Sequence, residues 1–187
     1  MEAFAPALIA CFLAELPGAS PRLAAALGER YRAVLSVLAG LMAAQILMVG
    51  VSVSAGALIA PTLNGRAQAA MLALSLVMAA FAMARVAPLK RMEAWRTGAF
   101  LTAFLGQIRL GLSGSAGFIA FALALQGNAA GAVAVGAAIG LIAPGFIAMA
   151  LGERDWAWAS SGWTRLACVI LLFGAAAVVA LRGFALI

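Results

Sequence analysis

Glu15 has the most chemistry to offer, because it is a carboxylate inside an apolar run, Phe12-Leu13-Ala14-Glu15-Leu16. A charged side chain at the centre of a bilayer costs about 2.5–3.5 kcal/mol unless it is partnered or wet, and such residues commonly mark ion paths or proton relays. Glu15 is therefore read as a cation ligand or proton carrier; a hydrated carboxylate near the membrane boundary is the alternative. Pro17, Gly18 and Pro21 follow and interrupt the helix, with Ser20 among them. About ninety residues later, Phe104-Leu105-Gly106-Gln107-Ile108-Arg109-Leu110-Gly111 repeats the opening with Gln107 in place of the carboxylate and Arg109 close behind.

The elements that must carry these residues follow from composition. Of 187 residues, 66% are hydrophobic and 10% charged, where a soluble domain is about half apolar and a quarter charged. The excess falls in long Ala/Leu/Val/Gly runs, which predicts a polytopic helical membrane protein rather than a barrel of short alternating strands. The runs cover about 3–27, 33–60, 67–84, 98–125, 129–151 and 166–181. Six spans are expected, with a basic connector at 85–97 and a turn at Gln126-Gly127-Asn128. Asn64-Gly65-Arg66 reads as a turn after Pro61, and Pro144-Gly145 as a kink in the fifth span.

The net charge of +6 would suggest nucleic acid in a soluble chain, but here it marks topology. Arg22, Arg30, Arg32, Arg85, Lys90, Arg91, Arg96, Arg154 and Arg165 lie in odd-numbered connectors, and Arg66 and Arg182 lie on the other side. Nine against two puts the odd connectors in the cytoplasm and both termini on the extracytoplasmic side of a cell inner membrane. Trp95, Trp156, Trp158 and Trp163 fall in or beside the same connectors, as headgroup-level rings do. Nucleic acid is not an expected partner; the bilayer and a small ion or solute are. Glu153-Arg154-Asp155 reads as a solvated loop cluster.

Cys11 and Cys168 lie in apolar runs of a chain without histidine, which predicts buried thiols rather than a metal–thiolate site or a disulfide. Leu8-Ile9-Ala10-Cys11 has the form of a lipoprotein cleavage box, but no basic residue precedes it and the apolar stretch is short, so a first transmembrane segment is the expectation. With no histidine and no second intramembrane carboxylate, acid–base catalysis is not expected, and the chain is read as a non-enzyme with no cofactor. Gly136-Ala137-Ala138-Ile139-Gly140 and Ser52-Val53-Ser54-Ala55-Gly56 are small-residue faces that let helices approach closely; such faces also offer a route to a homodimer.

Three spans on each side of the basic connector place the second half in the membrane in the opposite sense. The fold expected is a single all-α transmembrane domain over 1–187: six transmembrane helices as two inverted three-helix repeats, about 3–84 and 98–187, with sites near broken helices at the midplane. The sequence resembles the small manganese/calcium cation–proton exchangers of bacteria and the Golgi, related to the lysine-exporter superfamily. The residues that carry the resemblance are Phe12-Leu13-Ala14-Glu15-Leu16, the continuation Leu23-Ala24-Ala25-Ala26-Leu27-Gly28-Glu29-Arg30-Tyr31-Arg32, and Val37-Leu38-Ala39-Gly40. That family carries Glu-x-Gly-Asp-Lys/Arg-Ser/Thr in the first helix of each half, and the resemblance implies a cation site formed by the acidic residues of the two motifs.

Carried over residue by residue, Glu15 falls on the first glutamate and Ser20 keeps the hydroxyl, while Pro17, Gly18 and Ala19 replace Gly, Asp and the basic residue. Gln107 falls on the second glutamate, and Arg109 and Leu110 stand where Gly and Asp belong. The implied metal ligands are Glu15 and Gln107. The wider ion or solute path adds Ser20, Arg109, Gln45 and Thr102. A divalent cation draws about six oxygen ligands, usually with more than one carboxylate, so this set implies a diverged and weakened site for a transported divalent cation. Arg109 also needs a partner; if the motifs face each other it neutralises Glu15 in the place of the cation, and the alternative is snorkelling to an interface. Two further functions stay open: a non-transporting membrane protein that keeps the fold for partner binding, and an exporter of a small organic solute held by Glu15 and Arg109.

Overall fold

The structure, a computed structural model, describes residues 3–31, 33–84, 98–113, 116–126, 129–159 and 161–183. The basic connector with Arg85, Lys90, Arg91, Glu93, Trp95 and Arg96 lies outside them, as do Arg32 and the Gly127-Asn128 part of the expected turn. The described residues form α1 Phe4–Glu15, α2 Ala19–Tyr31, α3 Val34–Ile59, α4 Gly65–Ala84, α5 Ala99–Ser113, α6 Ala116–Ala124, α7 Ala130–Asp155 and α8 Gly162–Gly183. Single 3-10 turns follow α3 at Ala60–Thr62 and α7 at Trp156–Trp158.

Helices α3, α4, α7 and α8 are each long and apolar enough to cross a membrane, and each of the two bent pairs would add one more span, giving four to six. Lipid cannot hydrogen-bond the backbone, so helices, which pair their own N–H and C=O groups, are the expected solution. Bulky apolar residues stand exposed along the outer faces, among them Leu35, Val51, Leu58, Phe118, Ile170 and Leu171. Such faces suit lipid rather than water.

The first apolar run is two helices rather than one interrupted span. Helices α1 and α2 meet at a bend of 68° over Leu16–Gly18. Pro17 has no N–H to continue the ladder, and the Gly18 N–H turns back to the Glu15 carbonyl at 2.8 Å. A Cβ on Gly18 would stand 2.8 Å from that carbonyl oxygen, closer than side-chain carbons pack, so the turn needs glycine. The fourth run divides likewise into α5 and α6, bent by 67°. Each half of the chain therefore opens on a broken helix.

Packing between the halves is reciprocal. Helices α1 and α2 lie on α7, α5 and α6 lie on α3, and α4 lies on α8. Glycines set the distance at these crossings. Gly136 and Gly140 of α7 touch the Phe4 and Leu8 carbonyls of α1, while Gly40 and Gly56 of α3 touch the Phe100 carbonyl of α5 and the Phe121 carbonyl of α6. Both small-residue faces read from the sequence are thus occupied within the chain, Gly136–Gly140 by α1 and Ser52–Gly56 by α6, whose Gly117 lies against Ser52. The largest core cluster joins α1, α3, α4, α6, α7 and α8 through Ala7, Cys11, Val49, Leu72, Ile119, Ala137 and Leu172.

Several local expectations change. Asn64 caps α4, accepting the Ala67 N–H at 2.8 Å, so Gly65 and Arg66 belong to the first helical turn rather than to a free turn. Helix α7 runs through Pro144 and departs from helical geometry only at Gly152, where φ is +82°. Arg22 lies in the first turn of α2, not in a connector. Trp158 and Trp163 are exposed as interfacial rings would be, but Trp156 is buried against Ala25, Ala148 and Ala159.

Candidate functional site

The bend after Glu15 aims the start of α2 at the middle of α5. Ser20, in the first turn of α2, donates its hydroxyl to Gln107 Oε1 at 2.8 Å. Both are buried, Ser20 at 8% and Gln107 at 2% exposure. A buried amide without a partner would cost about 1–3 kcal/mol, so this bond is part of what lets α2 and α5 pack. Glu15 is the last residue of α1, five positions before Ser20 on the other side of the bend.

Beside the Ser20–Gln107 pair is a cavity of about 20 Å³ lined by Ser20, Gln107, Gln45, Leu41, Leu141 and Gly145, among others. That is room for about one water. Buried Gln45 brings a second amide from α3. Helix α7 supplies Leu141, Ile142, Gly145 and Phe146 to the wall. Sequence reasoning assigned Pro144-Gly145 to a kink and missed this lining role; the signal available was a small residue next to a proline in mid-span, where a side chain would fill the space.

The other two expected residues lie elsewhere. Thr102 is buried, and its hydroxyl shares a 3.2 Å hydrogen bond with Tyr31 Oη, tying the end of α2 to the start of α5. Five residues separate it from Gln107, about 140° round the helix, and it does not line the cavity. Arg109 is exposed. Two residues beyond Gln107, it stands about 200° round α5 from the buried amide, and neither Arg109 nor Glu15 lines the cavity.

Chemically, the cavity wall offers one hydroxyl and two amides, with the Glu15 carboxylate across the bend at the end of α1. No group of three or more His, Cys, Asp or Glu gathers as a metal site among the described residues. Neutral oxygens and one charge can strip part of a cation's water shell, but they compensate less of a divalent charge than paired carboxylates do.

A bundle of apolar helices with two bent pairs and four to six candidate spans is the architecture of a multi-pass membrane protein. Residues 3–91 match the family model described as divalent cation/proton antiporter GDT1, so the first half of the chain is similar to a transporter family, as the Phe12–Leu16 motif and its continuation imply. The match includes Glu15, Ser20 and Gln45 and ends before Gln107. No curated protein and no solved structure matches the chain.

Proposed function

We propose that the chain is an inner-membrane secondary transporter that exchanges a divalent cation of the manganese/calcium class for protons, through a reduced ion site of Glu15, Ser20 and Gln107 with Gln45 at its edge. The observation that carries this reading is the Ser20–Gln107 hydrogen bond, because it joins the hydroxyl of the first motif to the amide in the second. The reciprocal packing of each broken helix on a long helix of the other half supports two inverted repeats. In this mechanism Glu15 alternates between cation and proton. A cation entering from one side takes the carboxylate and the oxygens of Ser20 and Gln107, and releases the proton that Glu15 held. Rocking of the halves then opens the site to the other side, where a proton displaces the cation. With one carboxylate the site binds a divalent ion weakly. The excess of Lys and Arg in odd-numbered connectors supports both termini on the extracytoplasmic side.

Manganese uptake into proteoliposomes under an imposed proton gradient tests this. Saturable, proton-coupled flux that is lost in Glu15→Gln supports the site; equal flux in the variant removes Glu15 from it, and no flux in either protein overturns the transport reading. A non-transporting role is the second reading. The cavity of about 20 Å³ favours it, since a space of that size holds one water rather than a hydrated ion.

A further inference from the structure

Three N–H groups are buried with no acceptor among the described residues: Arg22 Nη2, Trp156 Nε1 and Arg165 Nε. They come from the first turn of α2, the 3-10 turn after α7 and the first turn of α8. Arg22 is anchored by Nε, which donates to the Gly18 carbonyl at 3.3 Å. Arg165 follows Thr164, whose hydroxyl donates to the Trp158 carbonyl at 2.9 Å and so ties the start of α8 to the 3-10 turn that carries Trp156. Trp156 is 1% exposed and packs in one cluster with Ala25, a turn along α2 from Arg22, and with Ala159 on the way to Arg165.

These groups can only donate; neither a guanidinium nor an indole N–H accepts a hydrogen bond. Bringing two like charges and a buried donor together without an acceptor is unfavourable, and buried polar groups in native proteins are nearly always paired. Among the nearby acids, the Glu29 carboxylate already accepts the Glu153 N–H at 2.7 Å, and Glu153 and Asp155 are exposed. The positive end of α8 adds to the potential. Trp158 and Trp163, exposed at 57% and 83%, flank the cluster in sequence, and exposed tryptophans of a membrane protein favour headgroup depth.

We propose that Arg22, Trp156 and Arg165 form a binding site for a phosphate-type oxyanion at this end of the bundle. Arginine forks match phosphate oxygens bidentately, and the indole N–H supplies a further donor. The same chemistry is offered by the phosphodiester of an anionic lipid and by free inorganic phosphate. The site does not depend on the transport reading.

The test uses the full chain in mild detergent, with phosphatidylglycerol against phosphatidylcholine retention read by native mass spectrometry, and with inorganic phosphate added alone in a thermal-shift assay. Phosphatidylglycerol retention without a phosphate effect assigns the site to a lipid headgroup, and stabilisation by phosphate assigns it to a free oxyanion; either upholds the site if the variants behave as follows. Arg22→Gln and Arg165→Gln should each weaken binding roughly tenfold, the loss of a charge-assisted hydrogen bond. Trp156→Phe keeps a buried ring without the N–H and should weaken it by a smaller factor, and Arg22→Lys, which keeps charge and fold but loses the fork, should also bind less well. Arg182→Gln, at the far end of α8, should bind as the parent does. Equal binding by all variants, an equal loss in Arg182→Gln, or no preference for either probe would overturn the proposal.

Discussion

Ser20 and Gln107, 87 positions apart in the chain, are joined by a 2.8 Å hydrogen bond in the protein interior. Their meeting depends on the bend of 68° between α1 and α2, because a straight first helix would carry Ser20 on along the axis of α1 and away from α5. Ser20→Ala should leave the Gln107 carbonyl buried and unpaired, at a cost of about 1–3 kcal/mol. Thermal denaturation in detergent, followed by helical circular dichroism, would read this as a lower midpoint. Pairing Ser20→Ala with Gln107→Leu should cost less than the sum of the two single changes, since no orphaned acceptor remains. Additive losses would mean that the two side chains act independently.

Gln107→Glu would return a second carboxylate beside Glu15 and Ser20. If the reduced site is what limits divalent binding, the apparent manganese KM in proteoliposomes should fall on the order of tenfold. An unchanged KM would place the cation elsewhere.

Helix crossings should respond to glycine replacement according to the space at each position. Gly140→Val and Gly40→Val drive methyl groups into the Leu8 and Phe100 carbonyls, and each should destabilise by about 1–3 kcal/mol. Gly50 and Gly131 have nothing within 4 Å of an added Cβ. Alanine at either should therefore be neutral or raise stability by up to about 1 kcal/mol. A midpoint loss at Gly50 equal to that at Gly140 would contradict the packing.

Gly152 carries φ +82°, and an added Cβ there would stand 2.9 Å from Glu29 Oε1. Gly152→Ala should cost about 1–2 kcal/mol from backbone strain. Glu29→Ala removes the acceptor of the Glu153 N–H at an exposed position, so its penalty should be smaller, about 0.5–1.5 kcal/mol. The midpoint order, with Gly152→Ala lower than Glu29→Ala, checks both.

Cys11 and Cys168 are buried and make no disulfide. A water-soluble maleimide should label neither in the folded protein and both after denaturation. Rapid labelling of Cys11 in the native state would mean that water reaches the face where α1 packs on α7.

Much of the molecule could be read before folding. Glu15 was conspicuous because a carboxylate is costly in an apolar run, and Phe12–Leu16 carried the family resemblance that the match over residues 3–91 supports. The helical class and approximate spans followed from run length, a one-dimensional property that lipid enforces by leaving the backbone no other hydrogen-bonding partner. Which face of each helix points inward was not legible. Residues such as Leu35, Val51 and Ile170 are as apolar as the core yet stand exposed, so hydropathy identifies a helix without phasing it. Tertiary packing alone turned Gln107 inward and Arg109 outward, gave Thr102 to Tyr31, buried Trp156, and brought Ser20 onto Gln107. Those outcomes depend on one bend at Leu16–Gly18 and on close approaches at a few glycines, which are properties of helix pairs rather than of any single run.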